Sequence, residues 1–445
     1  FSALYLISKT PTVSAVSAVS AVSSHFPIVF PHKTRYNKTT LGSALYPAMR
    51  CPTLQPQGDS QPMKLTKLFA RMIILLISGI LIGIGLLWLV FLLPEKNVYK
   101  HGAASLQTFA EEGLYPSVGT APADKLDNWT DSLMISTAIF KKEDASPLNR
   151  AMSIYQPVLG DSDPLTSVFA YINGKPEVSD VSYSRYWHGY LTLLRPLLTV
   201  MDYNGIRTCN NIGVILLLVL VAGSLIWKKH YALLIPVFLT FLFLRPLAIM
   251  FSMQYSSIYY LTMFTVLWIV LRRSKLSQNF HYLLLFQLNG MLAGYLDLLT
   301  YPIVSLGVPL AVFLAAQKED YWIKQCRQVI LSSISWGFGY VGMWSAKWLV
   351  GSLILKRSVF AEAAAQAKFR LSTNNGRMDF SRIDVFLRNA GAGFMGILPV
   401  ASFILAISVL YFLWRNRKCF LNAMCRAVPY FFIMLFPFAW YTVFA

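Results

Sequence analysis

The chain has 445 residues, of which 56% are hydrophobic and only 13% are charged, and its formal net charge is +19. Soluble domains carry roughly 25% charged residues, so this composition excludes an ordinary soluble domain and indicates a protein built for lipid. In a membrane protein, excess lysine and arginine is first explained by the loops on the cytoplasmic side. The sequence has no basic patch interleaved with aromatic residues on a soluble domain, so we exclude nucleic acid as a partner.

Residues 1–62 differ in composition from the rest of the chain. A Ser-Ala-Val triplet occurs three times between residues 14 and 22, and Asp59 is the only acidic residue in this leader. The leader is either a transit peptide or translated upstream sequence with Met63 as the true start. We favour the second interpretation and assign the fold to residues 63–445. Because the chain stops in a hydrophobic span, we expect its C-terminus to be truncated.

Apolar stretches that could cross a bilayer core of about 30 Å recur along residues 63–445. They cover residues 72–93, 211–227, 231–251, 258–271, 280–296, 301–316, 329–354, 393–414 and 428–445. The sequence therefore predicts an all-α polytopic membrane protein with about nine transmembrane helices.

Basic residues indicate which side of the membrane each connection occupies. The first span follows Lys64, Lys67 and Arg71, and alternate later connections are also basic. These connections contain Lys228 and Lys229, then Arg272, Arg273 and Lys275, then Lys318, Lys324 and Arg327, then Arg415, Arg417 and Lys418. By the positive-inside rule we place them and the N-terminus in the cytoplasm, and we expect a bacterial plasma membrane protein.

Two long polar segments fall on the predicted outer side. The first polar segment, residues 95–209, is nearly balanced in charge and is expected to contain helices on the membrane surface. The second polar segment, residues 355–391, has seven basic and three acidic residues. Its basic residues form either an anion site, such as one for a lipid phosphate, or a solvated surface near the headgroups.

The end of the first polar segment carries an unusual polar pattern. Spacings of three and four residues relate its members, which predicts that they share one face of a single helix. The members of this stripe are Arg185, His188, Thr192, Arg195, Thr199 and Asp202. Pro196 makes a straight helix less certain beyond that position.

Three ionisable residues lie at or within predicted spans: Arg245, Asp297 and Lys347. The predicted topology puts all three in the outer half of the bilayer, where charges are costly and mark candidate sites. Arg245 and Lys347 could instead reach the outer headgroups, and Asp297 could simply end a helix before Pro302. Together with the stripe, these residues predict a polar cavity that opens to the outer leaflet.

Asp131 is the candidate carboxylate of the first polar segment. It lies at the start of a predicted helix, where it would either stabilise the exposed N–H groups or act as a general base. Asp161 and Asp163 could hold a divalent cation or form an ordinary turn before Pro164. The pattern Gly337-Phe-Gly-Tyr-Val-Gly follows no predicted strand, so we interpret its small residues as helix-packing contacts rather than a dinucleotide site.

This layout resembles the C-type (GT-C) fold of polytopic membrane glycosyltransferases. Members have a cytoplasmic N-terminus, one span, a long first outer loop with an acidic residue, and many further spans. Here that loop is the first polar segment, with Asp131 in TDSLM as the acidic residue. Arg185 and His188 in SRYWHGY, and Arg195, stand where such enzymes carry groups that contact substrate. The chain is also similar to uncharacterised bacterial membrane proteins associated with cell-surface polysaccharide.

The resemblance implies transfer of a sugar from a polyprenyl-phosphate donor to a glycan or other acceptor outside the membrane. Asp131 would be the base, and Arg185, Arg195, Arg245 and Lys347 would bind the donor phosphate. No cofactor is assigned beyond the divalent cation considered above. Two alternatives remain. One is a transporter or flippase for a lipid-linked saccharide, which would use the same cationic cavity. The other is a non-catalytic membrane component of surface-polymer assembly.

Overall fold

The computed structural model describes residues 62–119, 124–276, 280–317, 321–371 and 420–444, with isolated positions between residues 381 and 414. The leader up to residue 61, the predicted span at 393–414 and the second polar segment beyond residue 371 lie outside these ranges, apart from the isolated positions. The chain divides into two units, Phe1–Lys67 and Leu68–Ala445. Of the first unit only the beginning of helix α1 is described, and the remaining description concerns the second unit.

The first apolar helix leads into the first polar segment, which contains short helices and one small antiparallel sheet. The elements in chain order are α1 (Pro62–Val90), α2 (Glu95–Glu112), α3 (Asn128–Ile139), α4 (Pro147–Ser153), β1 (Tyr155–Val158), α5 (Pro164–Ile172), β2 (Ser179–Ser182) and α6 (Leu191–Leu198). In the sheet, Tyr155 pairs with Ser182 and Val158 with Ser179. Buried apolar residues from α2, α3 and α6 form one core with the end of α1.

The remaining described elements are almost entirely apolar helices. They are α7 (Tyr203–Trp227), a 3-10 turn (Tyr231–Leu233), α8 (Leu234–Phe243), α9 (Pro246–Phe251), α10 (Met253–Leu276), α11 (His281–Leu296), α12 (Val304–Ala315), α13 (Trp322–Leu355), α14 (Val359–Leu371), α15 (Phe420–Met434) and α16 (Phe436–Phe444). Most of them share a second apolar core.

Three helices in the described part of the chain are long and apolar enough to cross a membrane: α1, α7 and α10. Shorter apolar helices cover residues 231–243, 304–315 and 424–440. Large apolar side chains such as Ile212 and Leu216 on α7 are exposed, as expected for a surface that faces lipid. The all-α membrane class predicted from the sequence is confirmed at this level.

The predicted apolar span at residues 231–251 is not one continuous helix. It is divided into the 3-10 turn, α8 and α9, and Arg245 between the last two has a positive φ of 60°. A residue before proline is disfavoured in right-handed helical geometry, and Pro246 is well placed at the first position of the next helix. The Arg245-Pro246 pair favours this break but does not dictate it alone, since the same Leu-Arg-Pro-Leu sequence at residues 194–197 lies within α6.

Glycine allows α11 and α13 to pack backbone against backbone. A Cβ atom at Gly290 would collide with the carbonyl oxygen of Trp336, and one at Gly339 would collide with that of Gln287. A Cβ at Gly342 would meet Leu76 of α1 at 2.9 Å. Gly339 and Gly342 of the Gly337–Gly342 pattern therefore lie at helix-packing contacts, whereas a Cβ atom at Gly337 would meet nothing within 4 Å.

The prediction of one helix with a continuous polar stripe is wrong. Only residues 191–198 are helical, Arg185 and His188 precede that helix in a loop, and Asp202 begins α7 by accepting a hydrogen bond from the Gly205 N–H. This loop packs against the end of α11, where the Gly189 N–H donates to the Tyr295 carbonyl at 2.9 Å. This tertiary contact, together with the left-handed backbone of His188 at φ 55°, interrupts the helical pattern.

Candidate functional site

An apolar groove of about 240 Å³ lies where α13, α14 and α16 meet the loops around Arg185 and Leu299. Five aromatic side chains line it: Tyr186, Tyr340, Trp344, Trp348 and Trp440. Three of these come from α13 at intervals of four residues, which places them on one face of that helix. The groove therefore depends on an aromatic stripe that runs along α13.

The aromatic walls are fixed by contacts among themselves. Trp344 contacts Tyr186 and Trp348 at centroid distances of 5.3 and 5.8 Å, in the edge-to-face arrangement that aromatic rings favour. The Trp348 indole N–H donates to the Arg185 carbonyl at 2.9 Å. The groove is thus a preformed surface suited to an apolar chain.

Arg185 stands at one side of this groove. Its guanidinium lies 4.2 Å from the Tyr183 ring centroid, and its Nη1 donates to the Glu362 carboxylate at 3.3 Å. Ser184 donates to the other Glu362 oxygen at 2.6 Å, and Arg357 lies 3.8 Å from the same carboxylate. The Arg185 Nε is shielded from solvent and has no partner among the described residues. One guanidinium donor is therefore free for a ligand.

Asp297 lies in the loop that supplies Leu299 to the groove. It ends α11, as one sequence interpretation expects, and its Oδ2 accepts from the Thr300 N–H at 3.0 Å. Its Oδ1 is buried and accepts no hydrogen bond among the described residues. Its carboxylate also interacts electrostatically with Tyr340, which lines the groove. Leu299 has a positive φ of 66°, so the backbone of this loop is strained.

Asp131 is fully buried and does not line the groove. Asp127, not Asp131, accepts the capping hydrogen bond from the Thr130 N–H of α3. The Asp131 carboxylate instead accepts from the N–H groups of Met253 and Gln254, at 2.9 and 2.8 Å, at the start of α10. It therefore stabilises the N-terminus of a helix distant in sequence.

The hydroxyls of Ser252 and Tyr203 also donate to Asp131, so its carboxylate receives four hydrogen bonds. Burial raises the pKa of Asp131 to about 6, and the hydrogen bonds from Tyr203, Gln254 and Ser252 oppose this shift. The carboxylate therefore stays largely ionised at pH 7. Every one of its nearest partners belongs to the protein.

A chain of hydrogen bonds joins the two candidate carboxylates. The Gln254 N–H donates to Asp131, its side-chain amide donates to the Thr300 hydroxyl, and the Thr300 N–H donates to Asp297. The start of α10 thereby connects the core of the first polar segment to the loop beside the groove.

His188 and Lys347 are both buried, and they are close enough for the Lys347 charge to act on His188. The Lys347 ammonium donates to the Met152 carbonyl at 2.9 Å and lies 5.5 Å from the Trp187 ring centroid. His188 Nε2 donates to the Tyr183 carbonyl at 2.9 Å, so in the neutral imidazole Nδ1 accepts from the Tyr190 hydroxyl at 3.0 Å. These bonds hold both side chains in the protein interior.

We expect acid to destabilise the chain through His188. Burial, reinforced by the charges of Lys347 and Arg185, lowers the pKa of His188 to about 3. Below pH 6.5 the unfolded chain binds a proton that the folded chain excludes. The stability that the neutral His188 contributes is therefore complete above pH 6.5 and is lost as the pH falls towards 3. At pH 5 the loss is about 2 kcal/mol. The melting temperature of the wild type should therefore fall more between pH 7.5 and 5 than that of His188→Gln, and parallel pH profiles would contradict this.

Arg195 is buried away from the groove. Its Nε donates to the Val90 carbonyl at 2.9 Å, it also bonds to the Ala138 carbonyl, and it lies 4.5 Å from the Phe91 ring centroid. Burial lowers the pKa of Arg195 to about 10. Arg195 therefore links the ends of α1 and α3 to α6.

Arg245 also lies apart from the groove lining. Its Nη1 is 3.4 Å from an oxygen of Asp124, so it forms an ion pair with the first polar segment. Of the predicted site residues, the structure thus places Arg185 in the groove lining, while Asp297 lies two residues before Leu299, which also lines it. It does not place Asp131, Arg195 or Arg245 among the residues that line it.

Asp163, one of the two possible cation ligands, has other partners. Asp163 begins α5 by accepting from the N–H and the hydroxyl of Thr166, at 2.9 and 2.7 Å. Within the described ranges, no group of three or more histidine, cysteine, aspartate or glutamate side chains is arranged to hold a metal ion. The turn interpretation of Asp161 and Asp163 therefore fits the contacts of Asp163.

The sequence interpretation missed an ion pair at the start of α7, between the buried Arg207 and the solvent-accessible Glu112. Arg207 donates to both oxygens of Glu112, at 2.5 and 2.8 Å. Although burial acts to raise the pKa of Glu112, the hydrogen bonds from Arg207 and Asn128 lower it below its usual value. The sequence does show Arg207 close to Asn210 and Asn211 at the edge of a predicted span, and this polar cluster could have indicated the ion pair.

The scan against protein-family models and the searches of curated proteins and of solved structures found no match. The candidate site therefore rests on the geometry of this chain.

The groove residues also escaped the sequence interpretation. Trp336, Tyr340, Trp344 and Trp348 recur at intervals of four residues, a pattern visible in the sequence. Aromatic stripes at helical spacing usually form core contacts, so this one did not stand out.

Proposed function

We propose that the chain is a membrane glycosyltransferase that moves a sugar from a polyprenyl-phosphate donor to an acceptor at the outer membrane face. The observation that carries this proposal concerns two atoms, Arg185 Nε and Asp297 Oδ1. Both atoms are buried and unpartnered among the described residues; Arg185 lines the aromatic groove, and Asp297 lies two residues before Leu299, which also lines it. A buried polar atom without a partner is costly, so a ligand that pairs with it gains binding energy.

The donor fits this groove by its chemistry. An isoprenoid chain is apolar, and the five aromatic walls offer it an apolar surface. The donor phosphate would lie against Arg185, since a guanidinium binds phosphate through charge-assisted hydrogen bonds. The nine-span topology with a cytoplasmic N-terminus, which is part of this proposal, puts the groove at the level of the outer headgroups.

Asp297 replaces Asp131 as the proposed general base. Its free Oδ1 would take the proton from an acceptor hydroxyl, and the acceptor oxygen would then form the bond to the anomeric carbon of the sugar. The bond from that carbon to the phosphate oxygen breaks, and the electron pair leaves with the polyprenyl phosphate. Arg185 would stabilise the charge that develops on this leaving group.

The donor site can be tested with a photoreactive polyprenyl phosphate in membranes that contain the chain. We expect the label on peptides of α13 that contain Trp344 or Trp348. Removing an aromatic wall by Trp348→Ala, or the cation by Arg185→Gln, should lower labelling about tenfold, equivalent to about 1.4 kcal/mol.

The matched control for Trp348→Ala is Trp227→Ala. Trp227 is 71% exposed at the end of α7 and does not line the groove, so its removal should leave labelling unchanged. Equal labelling of the wild type and both groove variants would contradict the proposed donor site.

A further inference from the structure

A second cavity, of about 500 Å³, opens between the C-terminal end of α2 and the N-terminal end of α7. Its polar walls are Glu112, Asn204, Arg207, Thr208 and Asn211. Phe251 contributes an aromatic wall. The residues that line this cavity do not overlap with those that line the aromatic groove. It is therefore a separate site, in the size range of small-molecule pockets.

The charges that line this cavity cancel one another. Arg207 is paired through two hydrogen bonds with Glu112, its Nε donates to the Phe251 carbonyl at 2.7 Å, and Nη2 also reaches the Asn128 side-chain oxygen at 3.3 Å. The guanidinium is committed to partners within the protein. The cavity therefore favours a neutral ligand over a phosphate or another anion.

The remaining polar groups suit a ligand with many hydroxyls. Asn204 and Thr208 are exposed one helical turn apart on α7, and each offers hydrogen-bonding atoms to the cavity. The side-chain oxygen of Asn211 is shielded from solvent and accepts no hydrogen bond from any described residue. An incoming hydroxyl could supply that missing donor.

We propose that this cavity binds a neutral saccharide. Sugars combine hydroxyls, which can pair with Asn204, Thr208 and Asn211, with apolar C–H faces, which can pack against the Phe251 ring. This inference goes beyond the proposed function and does not require it, because the cavity shares no lining residue with the groove.

The test uses the full chain purified in a detergent without a sugar headgroup. Saturation-transfer difference NMR with glucose, galactose, N-acetylglucosamine and their disaccharides reports binding directly, without a lipid donor. We expect saturation transfer to at least one of these sugars, with a dissociation constant in the millimolar range or below. Thr208→Phe, which fills the cavity, and Asn211→Leu, which removes the acceptor, should each weaken binding at least tenfold.

The matched control is Thr240→Phe. Thr208 and Thr240 each donate to the carbonyl four residues earlier on a helix, at 2.9 and 2.8 Å, but Thr240 lies on α8 and does not line the cavity. It should bind sugar as the wild type does, and inorganic phosphate should not compete. Absence of saturation transfer with every sugar, competition by phosphate, or unchanged binding in Asn211→Leu would overturn the proposal. A failure of sugar transfer from the lipid donor would not affect it.

Discussion

Asp131→Asn is expected to destabilise the folded chain by about 3 kcal/mol. The asparagine side chain has one acceptor oxygen in place of two, and its amide N–H groups would face donors at the start of α10. The buried N–H groups of Met253 and Gln254 would compete for that one oxygen. Thermal unfolding of the purified chain, followed by tryptophan fluorescence, measures the loss as a lower melting temperature.

The control for Asp131→Asn is Asp163→Ala. Asp163 caps a helix at the surface, so its removal should cost only about 1 kcal/mol. An Asp131→Asn variant as stable as the wild type but unable to transfer sugar would favour Asp131 as the base, as the family resemblance implies. The structural role predicts the reverse, a less stable chain whose folded fraction still transfers sugar.

Asp297→Asn is expected to lower the rate of sugar transfer by about 100-fold or more. Asparagine keeps the oxygen that accepts from the Thr300 N–H, but it cannot take a proton from an acceptor hydroxyl. Because the substitution also removes a buried carboxylate with one unpartnered oxygen, the melting temperature should stay the same or rise. The effect on stability is therefore opposite to that expected for Asp131→Asn.

Asp180→Asn is the matched control for Asp297→Asn. Asp180 forms a surface ion pair with Lys142 at 2.7 Å and lies on β2, which contributes no residue to the groove lining. Exposed pairs of this kind contribute about 0–1 kcal/mol, so neither transfer nor stability should change appreciably. A similar loss of transfer in both variants would remove the specific role of Asp297.

The membrane class could be predicted because it depends on composition and on the length of apolar runs. The break at Arg245 is also favoured by local chemistry, since the proline after it restricts the backbone. The end of the first polar segment could not be predicted in the same way. Its spacing fits a helix, but the contact between Gly189 and Tyr295 joins positions more than 100 residues apart and replaces helical geometry with a loop. A sequence pattern carries no information about that partner.

The charged residues of the candidate site were identified as unusual, but their partners decide their roles. Arg185 and Asp297 each keep one buried unpartnered atom at or near the groove, whereas both oxygens of Asp131 accept from protein donors. Arg195 donates to backbone carbonyls and keeps an unpartnered Nη2, but it does not line the groove. The sequence gives no means of separating these cases, because the partners come from distant helices. Asp131 shows this most clearly, since the N–H groups it accepts from belong to residues more than 120 positions away.

Initial rates of radiolabelled sugar transfer from a polyprenyl-phosphate donor, measured per folded protein in proteoliposomes, test the central claim most directly. The measurement compares the wild type with Asp297→Asn and Asp131→Asn across a panel of donor sugars and glycan acceptors. We predict transfer by the wild type, a loss of about 100-fold or more in Asp297→Asn, and retained transfer in the folded fraction of Asp131→Asn. Undiminished transfer by Asp297→Asn, or no transfer by the wild type with any donor, would contradict it.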